Sequence, residues 1–375
     1  TIYYAGVAEG NGEFGVWSAT QTPGTGLPGR FGVDYAFISE AAVDVHVDQN
    51  HLNLFRVAFL LERMCPPATG LGAAFNETHF DYFKEAVDYI TVTKGAYAIL
   101  DPHNYMRYNV LATSLSREVS LATPQTPQPQ PRSSLASFGV SWHLASMTMS
   151  AHFWAHERAT RHGDLVVLAN NQAAIDAIRA ANASNLIIMP GNSWTGGHSW
   201  TEGSDPSSAL LNQFKDPLNN TAIDIHEYLD YDFSGGHLEC VSDPETNLAA
   251  LTAWLKENNL KAFITEFGGS NSTSCQEMLP DLINYMADNA EYIGWTAWAA
   301  GPSGVRTVRA APIQPSWVAW NLGAQLLTKP WVVRSVWLPV IQPLVPTELQ
   351  WSWPASISGG ELTSEHKDLC CCHPV

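Results

Sequence analysis

Short apolar runs alternate with longer amphipathic windows along most of the chain. The short runs consist of apolar and β-branched residues and predict strands, whereas apolar residues at helical spacing in the longer windows predict helices. The predicted strands lie at 3–8, 52–60, 96–100, 222–228, 263–266 and 292–302, with a further strand and its loop at 185–192. The predicted helices lie at about 34–49, 80–92, 170–184, 247–257 and 276–289. Strands and helices that alternate in this way are typical of a parallel sheet.

Polar side chains follow the predicted strands rather than precede them. Glu266 ends one apolar run, and the two glycines that follow Phe267 let the chain turn away. A (β/α)8 barrel brings the carboxyl ends of its strands to one mouth, where its active site lies. An open doubly wound sheet also binds ligands at strand ends, but no Gly-x-Gly-x-x-Gly motif follows the first strand. We therefore predict an α/β fold, a (β/α)8 TIM barrel, whose mouth gathers Arg56, His103, Asn104, His226, Tyr228, Glu266 and Trp298.

The candidate mouth residues favour acid–base chemistry over metal chemistry. Arg56 lies inside an apolar run, where a guanidinium is costly unless it is paired. His103 and His226 with Asp101 suggest a metal, but no His-x-His or His-x-x-x-His spacing supports one. No serine lies in a nucleophile elbow. We predict no metal and no cofactor.

The composition and net charge indicate which kinds of substrate and binding partner to expect. Charged residues make up 15% of the chain and aromatic residues 11%, including 14 Trp. Exposed aromatic rings in a cleft suit the flat faces of sugars, although most rings are expected in the core. The formal net charge of −17 makes nucleic acid and anionic membrane poor partners and favours a neutral substrate.

Several features favour secretion. No apolar run approaches the length of a membrane span, and Thr1 is typical of a processed N-terminus. Glycosylation sequons begin at Asn76, Asn182, Asn219 and Asn271. We therefore expect a secreted, glycosylated protein that is extracellular and monomeric.

The six cysteines do not form an evenly spaced set. Cys240 and Cys275 flank neighbouring strand-end loops, which permits a disulfide between them, and Cys65 has no evident partner. Three further cysteines at 370–372 are adjacent in the tail, a spacing that fits neither a disulfide framework nor a metal site.

The residues at the predicted strand ends, with the motifs around them, resemble those of glycoside hydrolase family 5, and within it the fungal endo-β-1,4-glucanases. The resemblance covers about residues 1–110 and 168–302 and consists of several separate motifs in the family's order. The matching stretches lie at 55–59, 62–64, 101–105, 191–196, 224–230, 265–269 and 298–302.

The resemblance implies a retaining mechanism with two glutamates. Glu266 matches the nucleophile, which forms a glycosyl-enzyme ester, and His226 and Tyr228 would hold it in register. The two carboxyl groups of such enzymes lie about 5–5.5 Å apart. By the same resemblance, substrate binding falls to Arg56, His103, Asn104, His226, Tyr228, Trp194 and Trp298, and Trp194 and Trp200 would extend the cleft.

The second glutamate is where the chain departs from the family. The family's acid/base lies in an Asn-Glu-Pro motif at the end of the fourth strand, and this sequence has none. Residues 111–167 lose the likeness, and a Pro/Gln/Thr-rich run lies at 121–134. One interpretation is an inserted linker followed by an unusual helix. The chain as printed is then expected to lack a fourth strand with a positioned acid.

We prefer the hypothesis that residues 111–167 were translated out of frame. Permitted codons for 153–163, read one base later, give Asn-Glu-Pro, with the glutamate codon across Arg158 and Ala159. Glu157 is the nearest carboxylate and is the candidate acid/base. Residues 303–335 also depart from the family.

We predict one catalytic barrel at 1–345 and a C-terminal tail at 346–375. Its predicted activity is endo-hydrolysis of β-1,4-glucan by Glu266 and Glu157. The alternatives are a catalytically inactive β-glucan-binding barrel without the acid/base, and a mannanase or xylanase of the same family.

Overall fold

The structure is a computed structural model of the chain. It describes residues 2–13, 27–69, 76–104 and 164–300, together with the backbone of strands at 107–112, 115–120 and 148–150. All of these belong to one compact unit, Thr1–Val333. The predicted boundary between barrel and tail at residue 345 lies outside the described residues and stays a prediction.

Eight parallel strands close into a barrel, as the alternation of strands and helices predicted. Around the barrel the order is β1, β2, β3, β6, β7, β8, β9 and β10, and β10 pairs with β1. The barrel strands are β1 (Tyr4–Glu9), β2 (Leu54–Phe59), β3 (Tyr97–Pro102), β6 (Thr148–Ser150), β7 (Ile187–Met189), β8 (Thr221–His226), β9 (Ala262–Glu266) and β10 (Tyr292–Ala300). Each predicted strand is present, with ends displaced by a few residues.

Helices follow the strands in the described part of the chain. They are α1 (Glu40–Asp44), α2 (Leu61–Met64), α3 (Glu77–Asp88), α4 (Asp164–Ala180), α5 (Pro244–Asn258) and α6 (Thr273–Asp288). Side-chain caps set several of their starts: Ser39 accepts from the N–H of Ala42, and Asp243 accepts from the N–H of Thr246. Within the described residues, no helix combines the length and the hydrophobicity needed to cross a lipid bilayer.

The expectation that the chain lacks a fourth barrel strand is wrong. β6 lies between β3 and β7, with Ile99 opposite Thr148 and Met149 opposite Ile187. This strand spans only three residues, which is too short to give a recognisable alternation in the sequence. The antiparallel hairpin of β4 (Arg107–Ala112) and β5 (Leu115–Ser120) is also additional to the prediction.

The barrel interior is apolar at one end and charged at the other. Leu54, Ile99, Ile188 and Phe263 form a fully buried cluster. Because side chains two residues apart share a strand face, Leu54 and Arg56 point to the same side of β2. A Cβ on Gly294 would lie 2.2 Å from the Phe263 ring, so glycine is required beside this floor. The charged layer therefore sits directly above a packed apolar floor.

A disulfide joins Cys240 to Cys275, which confirms the predicted pairing. It links the loop after β8 to the first turn of α6. Cys65 is buried and is not part of a disulfide within the described residues.

Removing the disulfide should destabilise the fold without dismantling it. The bond closes a loop with a sequence separation of 35 residues, and the loss of that constraint in the unfolded chain costs about 3–4 kcal/mol. Urea unfolding of C240S/C275S should show this decrease, and reductant should have no further effect on it. The control C65S should keep the wild type's sensitivity to reductant. A decrease below about 1 kcal/mol would contradict the constraint model.

Candidate active site

Arg56 is the central cation of the barrel mouth. β2 carries it into the interior, where it is fully buried. Its Nη1 lies 2.6 Å from Glu266 Oε1, and its Nη2 lies 2.7 Å from Asp101 Oδ2. Burial opposes the charge, but the two carboxylates outweigh it and raise the pKa of Arg56 above its usual value. Arg56 therefore stays a cation that ties β2 to β3 and β9.

Glu266 is the last residue of β9, and both of its oxygens have partners. Arg56 holds Oε1, while Oε2 accepts a hydrogen bond from the Tyr228 hydroxyl at 3.2 Å and lies 3.4 Å from His226 Nδ1. Burial, and then the charge of Glu266, raise the pKa of Tyr228 well above its usual value, so this hydroxyl remains a donor. The carboxylate is thus fixed in one orientation. The structure brings Glu266, Arg56, His226 and Tyr228 together, and their roles in catalysis and substrate binding stay predictions.

A register shift between β8 and β9 creates the pairing of His226 with Glu266. The shift lies between Ile225 and His226 and places His226 directly opposite Glu266. Below this level, the Thr265 hydroxyl donates to Asp224 Oδ1, and Asp224 Oδ2 lies 3.9 Å from His226 Nε2. Asp224 therefore supports the layer that holds the nucleophile candidate.

His103 follows β3 and lies beside the arginine. Its Nδ1 is 3.0 Å from Asp101 Oδ2, so this aspartate receives both His103 and Arg56. Burial lowers the pKa of His103, but Asp101 outweighs burial and the net shift is upward. The sequence placed His103 at the mouth and considered Asp101 only as a metal ligand, whereas Asp101 is the second carboxylate of the arginine.

Trp298 on β10 packs against His103 and Arg56. Its ring is stacked with the His103 ring at a centroid distance of 6.1 Å, and Arg56 Cζ lies 5.7 Å from the Trp298 centroid. Trp298 is half-buried, so part of the residue remains accessible to solvent. The Trp298–Ala299 peptide is cis. A half-exposed indole above a charged layer is a suitable platform for a sugar ring.

Asn104 makes contacts at the edge of the site. Its Nδ2 donates to Glu62 Oε2 at 2.6 Å, and its Oδ1 accepts from the N–H of Leu61 at 2.7 Å. These bonds join the end of β3 to the turn after β2. Its sugar-binding role stays a prediction.

The two tryptophans after β7 differ in exposure. Trp194 is 38% exposed in a backbone conformation with positive φ, and its role in extending the cleft stays a prediction. Trp200 is 1% exposed and packs against Trp254 at a centroid distance of 5.6 Å. The expectation that Trp200 extends the cleft is wrong, because its ring belongs to the core.

Glu157 lies outside the described residues. β6, the strand that occupies the family's acid/base position, ends at Ser150, seven residues before it in the chain. Its role stays a prediction.

Glu9, the last residue of β1, and Glu13, in the loop that follows, were not assigned a role from the sequence. Glu9 and Glu13 are buried at the barrel mouth. The only sequence signal was a pair of carboxylates in a glycine-rich loop after the first strand.

One group of metal-type side chains is present in the described part of the chain. Ligand atoms of Asp230, Asp232 and His237 lie within 4.8 Å of one another. Asp230 already accepts from the N–H of Gly235 at 3.0 Å, and its Oδ2 lies 2.9 Å from His237 Nδ1. These contacts describe a hydrogen-bonded loop, and the absence of a metal stays a prediction.

The geometry suits nucleophilic attack by a carboxylate. Glu266 is buried, charge-paired and held by two further groups, and its partner Arg56 lies against the Trp298 ring. A fixed carboxylate of this kind can form a covalent bond to an electrophilic carbon.

Comparison with known proteins shows which enzyme family the chain is similar to. The family model described as Cellulase (glycosyl hydrolase family 5) matches residues 14–304. Endoglucanase 1 of Robillarda sp. (strain Y-20) is 75% identical over 384 residues, covering 97% of this chain and 95% of that protein. Endo-beta-1,4-glucanase A of Emericella nidulans is 32% identical over 309 residues, covering 80% of this chain and 83% of that protein.

Solved structures agree with the fold. A crystal structure of an endo-beta-1,4-glucanase from Xanthomonas axonopodis pv. citri, with a triple mutation, has a TM-score of 0.67 at 27% identity and covers 83% of this chain and 92% of that one. XacCel5A in complex with cellopentaose has a TM-score of 0.65 at 27% identity, covering 83% and 93%. The chain is therefore a glycoside hydrolase and belongs to glycosyl hydrolase family 5, the family that its sequence motifs resemble.

Proposed function

We propose that this chain is a retaining endo-β-1,4-glucanase that uses Glu266 as its nucleophile on cellulose or soluble β-glucans. The observation that carries the proposal is the fixed orientation of Glu266. Arg56 holds one oxygen at 2.6 Å, and Tyr228 holds the other at 3.2 Å. The ionised carboxylate is the form that attacks.

The proposed reaction has two displacements. In the first, a carboxylate oxygen of Glu266 bonds to the anomeric carbon, the glycosidic C–O bond breaks, and a second carboxylic acid gives its proton to the leaving oxygen. In the second, water attacks the same carbon, the ester to Glu266 breaks, and the second carboxylate takes the proton of the water. Two inversions restore the original configuration of the sugar.

We assign the second carboxylic acid to Glu157, the carboxylate nearest the position of the family's acid/base. The alternative is a glutamate that an in-frame reading places at 158–159. In either case its carboxyl group should lie about 5–5.5 Å from that of Glu266.

Substrate binding is proposed for the remaining mouth residues. Trp298 would stack on the sugar at the cleavage point, and His103 and Asn104 would bind its hydroxyls, with Trp194 further along the cleft. The high aromatic content and net charge of −17 support a neutral glucan chain. The bound cellopentaose of XacCel5A supports an oligomeric glucan over a single sugar.

The proposed setting is extracellular. We propose a secreted, glycosylated monomer that binds neither nucleic acid nor membrane. The four sequons support it, and fungal endoglucanases are the relatives that the chain matches.

Replacing the nucleophile should abolish turnover without unfolding the protein. E266Q keeps the shape of the side chain but removes the charge that attacks, so kcat on carboxymethyl-cellulose should fall by about 10⁴-fold or more. The control E257Q changes an exposed glutamate on α5 and should retain full activity. Activity of E266Q within about tenfold of wild type would overturn the assignment.

Changing Arg56 to lysine should lower kcat/KM while the protein still folds. R56K keeps a cation, but a single ammonium cannot replace both arms of the guanidinium, which contact Glu266 and Asp101. Loss of one charge-assisted hydrogen bond predicts a decrease in kcat/KM of about 10–100-fold. Measured kcat/KM equal to wild type would show that orientation of Glu266 by Arg56 is unimportant.

The role of Glu157 as the general acid can be tested by comparing substrates whose leaving groups need protonation with substrates whose leaving groups do not. E157Q should lower kcat on cello-oligosaccharides by about 10²–10⁴-fold and affect nitrophenyl glycosides less, because a good leaving group needs little protonation. A peptide map of residues 111–167 should accompany the assay. Unchanged kcat in E157Q would exclude Glu157, and a map that contains Asn-Glu-Pro would identify the glutamate that replaces it. Glucan binding without turnover in the wild type would instead indicate an inactive barrel.

A further inference from the structure

The four glycosylation sequons of the chain lie in very different structural settings. Their acceptor residues are Asn76, Asn182, Asn219 and Asn271, and all four lie in the described part of the chain. A glycan is bulky and must extend into solvent from the Nδ2 atom of its asparagine. The sites can therefore be compared by their exposure, by the hydrogen bonds of the side chain and by the face of the barrel on which they lie.

Asn182 and Asn219 combine exposure with an unengaged side chain. Both are exposed, and both have a positive φ, 61° and 49°, in a region that asparagine enters more readily than most residues. Their backbone N–H groups donate to the carbonyl oxygens of Arg179 and Asp216, but within the described residues neither side-chain amide makes a hydrogen bond. Both Nδ2 atoms are therefore available for a bond to a sugar.

Arg179 on α4 fixes the loops of these two sequons against each other. Its Nη1 donates to the carbonyl oxygen of Ala183, inside the first sequon, at 2.8 Å. Its Nε and Nη2 each lie 2.7 Å from a carboxylate oxygen of Asp216, which also accepts from the N–H of Asn220, inside the second sequon, at 2.8 Å. Asn220 Nδ2 donates to the carbonyl oxygen of Ser184 at 2.9 Å, which joins the two sequons directly. The two acceptor asparagines therefore lie on one hydrogen-bonded base.

This base is on the face of the barrel opposite the mouth. Asn182 precedes β7 and Asn219 precedes β8, so both lie at the amino ends of parallel strands, whereas the mouth is at the carboxyl ends. The six residues of β8 that separate Asn219 from the mouth span about 17 Å. Glycans at these two positions leave the cleft open.

The other two sequons lie on the mouth face, and their asparagine side chains are engaged. Each comes between the carboxyl end of a strand and the helix that returns from the mouth. Asn76 caps α3, where its Oδ1 accepts from the N–H of His79 at 3.1 Å. Asn271 precedes α6, and its Oδ1 accepts from Gln276 Nε2 at 2.7 Å. Both side chains are therefore held against the start of a helix.

We propose that Asn182 and Asn219 are the N-glycosylation sites of this protein and that Asn76 and Asn271 stay unmodified. This rests on the proposed function, and within it on the extracellular setting, because sequons are modified in secreted proteins. Leu218 beside the second site is 52% exposed, and a hydrated sugar chain next to it shields this apolar side chain. The glycosylated face is thus the one that does not bind the glucan substrate.

The covalent step is a substitution at the anomeric carbon of the glycan donor, an oligosaccharide carried on a lipid diphosphate. The asparagine Nδ2 bonds to that carbon, the bond between the carbon and the diphosphate oxygen breaks, and the lipid diphosphate leaves with the electron pair. One amide proton passes to a base of the transferring enzyme. The secretory pathway supplies donor and enzyme, so this chain contributes only the sequon.

Glycosite mapping of the wild-type chain tests the assignment directly. The full chain should be secreted from a yeast with a fungal leader, and its glycans released by an amidase in heavy-oxygen water, which converts each glycosylated asparagine into a labelled aspartate. Peptide mass spectrometry should find the label at Asn182 and Asn219 and unlabelled Asn76 and Asn271. A label at either of the last two, or an unlabelled residue in the first pair, would overturn the proposal.

Matched variants give a second measurement of the same assignment. N182Q and N219Q should each lose the mass of one glycan. The controls T78A and T273A destroy the other two sequons but keep Asn76 and Asn271 themselves, and their intact mass should show no loss of glycan. Loss of a glycan from either control, or an unchanged glycan mass in N182Q or N219Q, would contradict the assignment.

Activity separates this proposal from the proposed function. Folded wild-type protein from which the amidase has removed both glycans should keep its kcat/KM on carboxymethyl-cellulose, because the two sites lie opposite the mouth. A decrease of about tenfold or more would contradict their placement away from the cleft. Wild-type protein that carries both glycans but does not cleave glucan would overturn the proposed function and leave the glycan assignment in place.

Discussion

The buried pair of Arg56 and Glu266, with Asp101 as the second carboxylate, is the interaction on which the rest of the site depends. A guanidinium inside a barrel is tolerated only if its charge is compensated by good geometry. Compensation here requires β2, β3 and β9 to be in place together, because each supplies one member at 2.6–2.7 Å. The closed barrel therefore brings the three members of the site together. Losing one member would leave an unpaired buried charge, which costs about 3–5 kcal/mol.

The remaining site residues restrict the orientations that the Glu266 carboxylate could still adopt in its ion pair with Arg56. Tyr228 and His226 occupy the second oxygen of Glu266, and Asp224 with Thr265 supports them from below. Beneath this layer the barrel is filled by an apolar floor that contains Leu54 and Phe263. The half-buried Trp298 ring packs against Arg56 and His103. A nucleophile so placed does not need to be oriented at the moment of reaction, which is a general source of catalytic rate.

The sequence predicted those parts of the molecule that short local patterns encode. Alternating strands and helices predicted the barrel. Polar residues at strand ends predicted that Glu266 and His103 lie at the mouth, because parallel strands end there, and a charge inside an apolar run singled out Arg56. The pattern missed β6, since three residues are too few to show a period. It also misplaced Trp200, because a tryptophan near a strand end has the same local sequence whether it faces the cleft or the core. Glu9 and Glu13 were missed for a similar reason, since burial of a loop carboxylate depends on residues distant in the chain.

The central claim is that Glu266 forms a covalent bond to the sugar. A 2-fluoro cello-oligosaccharide with a good leaving group slows breakdown of the ester more than its formation, so the intermediate accumulates. The trapped protein should be digested and its peptides sequenced by mass spectrometry. The account predicts one added glycosyl group, located on Glu266 in the peptide that contains Thr265 and Phe267. A label on another carboxylate, or turnover of a natural substrate with inverted anomeric configuration, would contradict it.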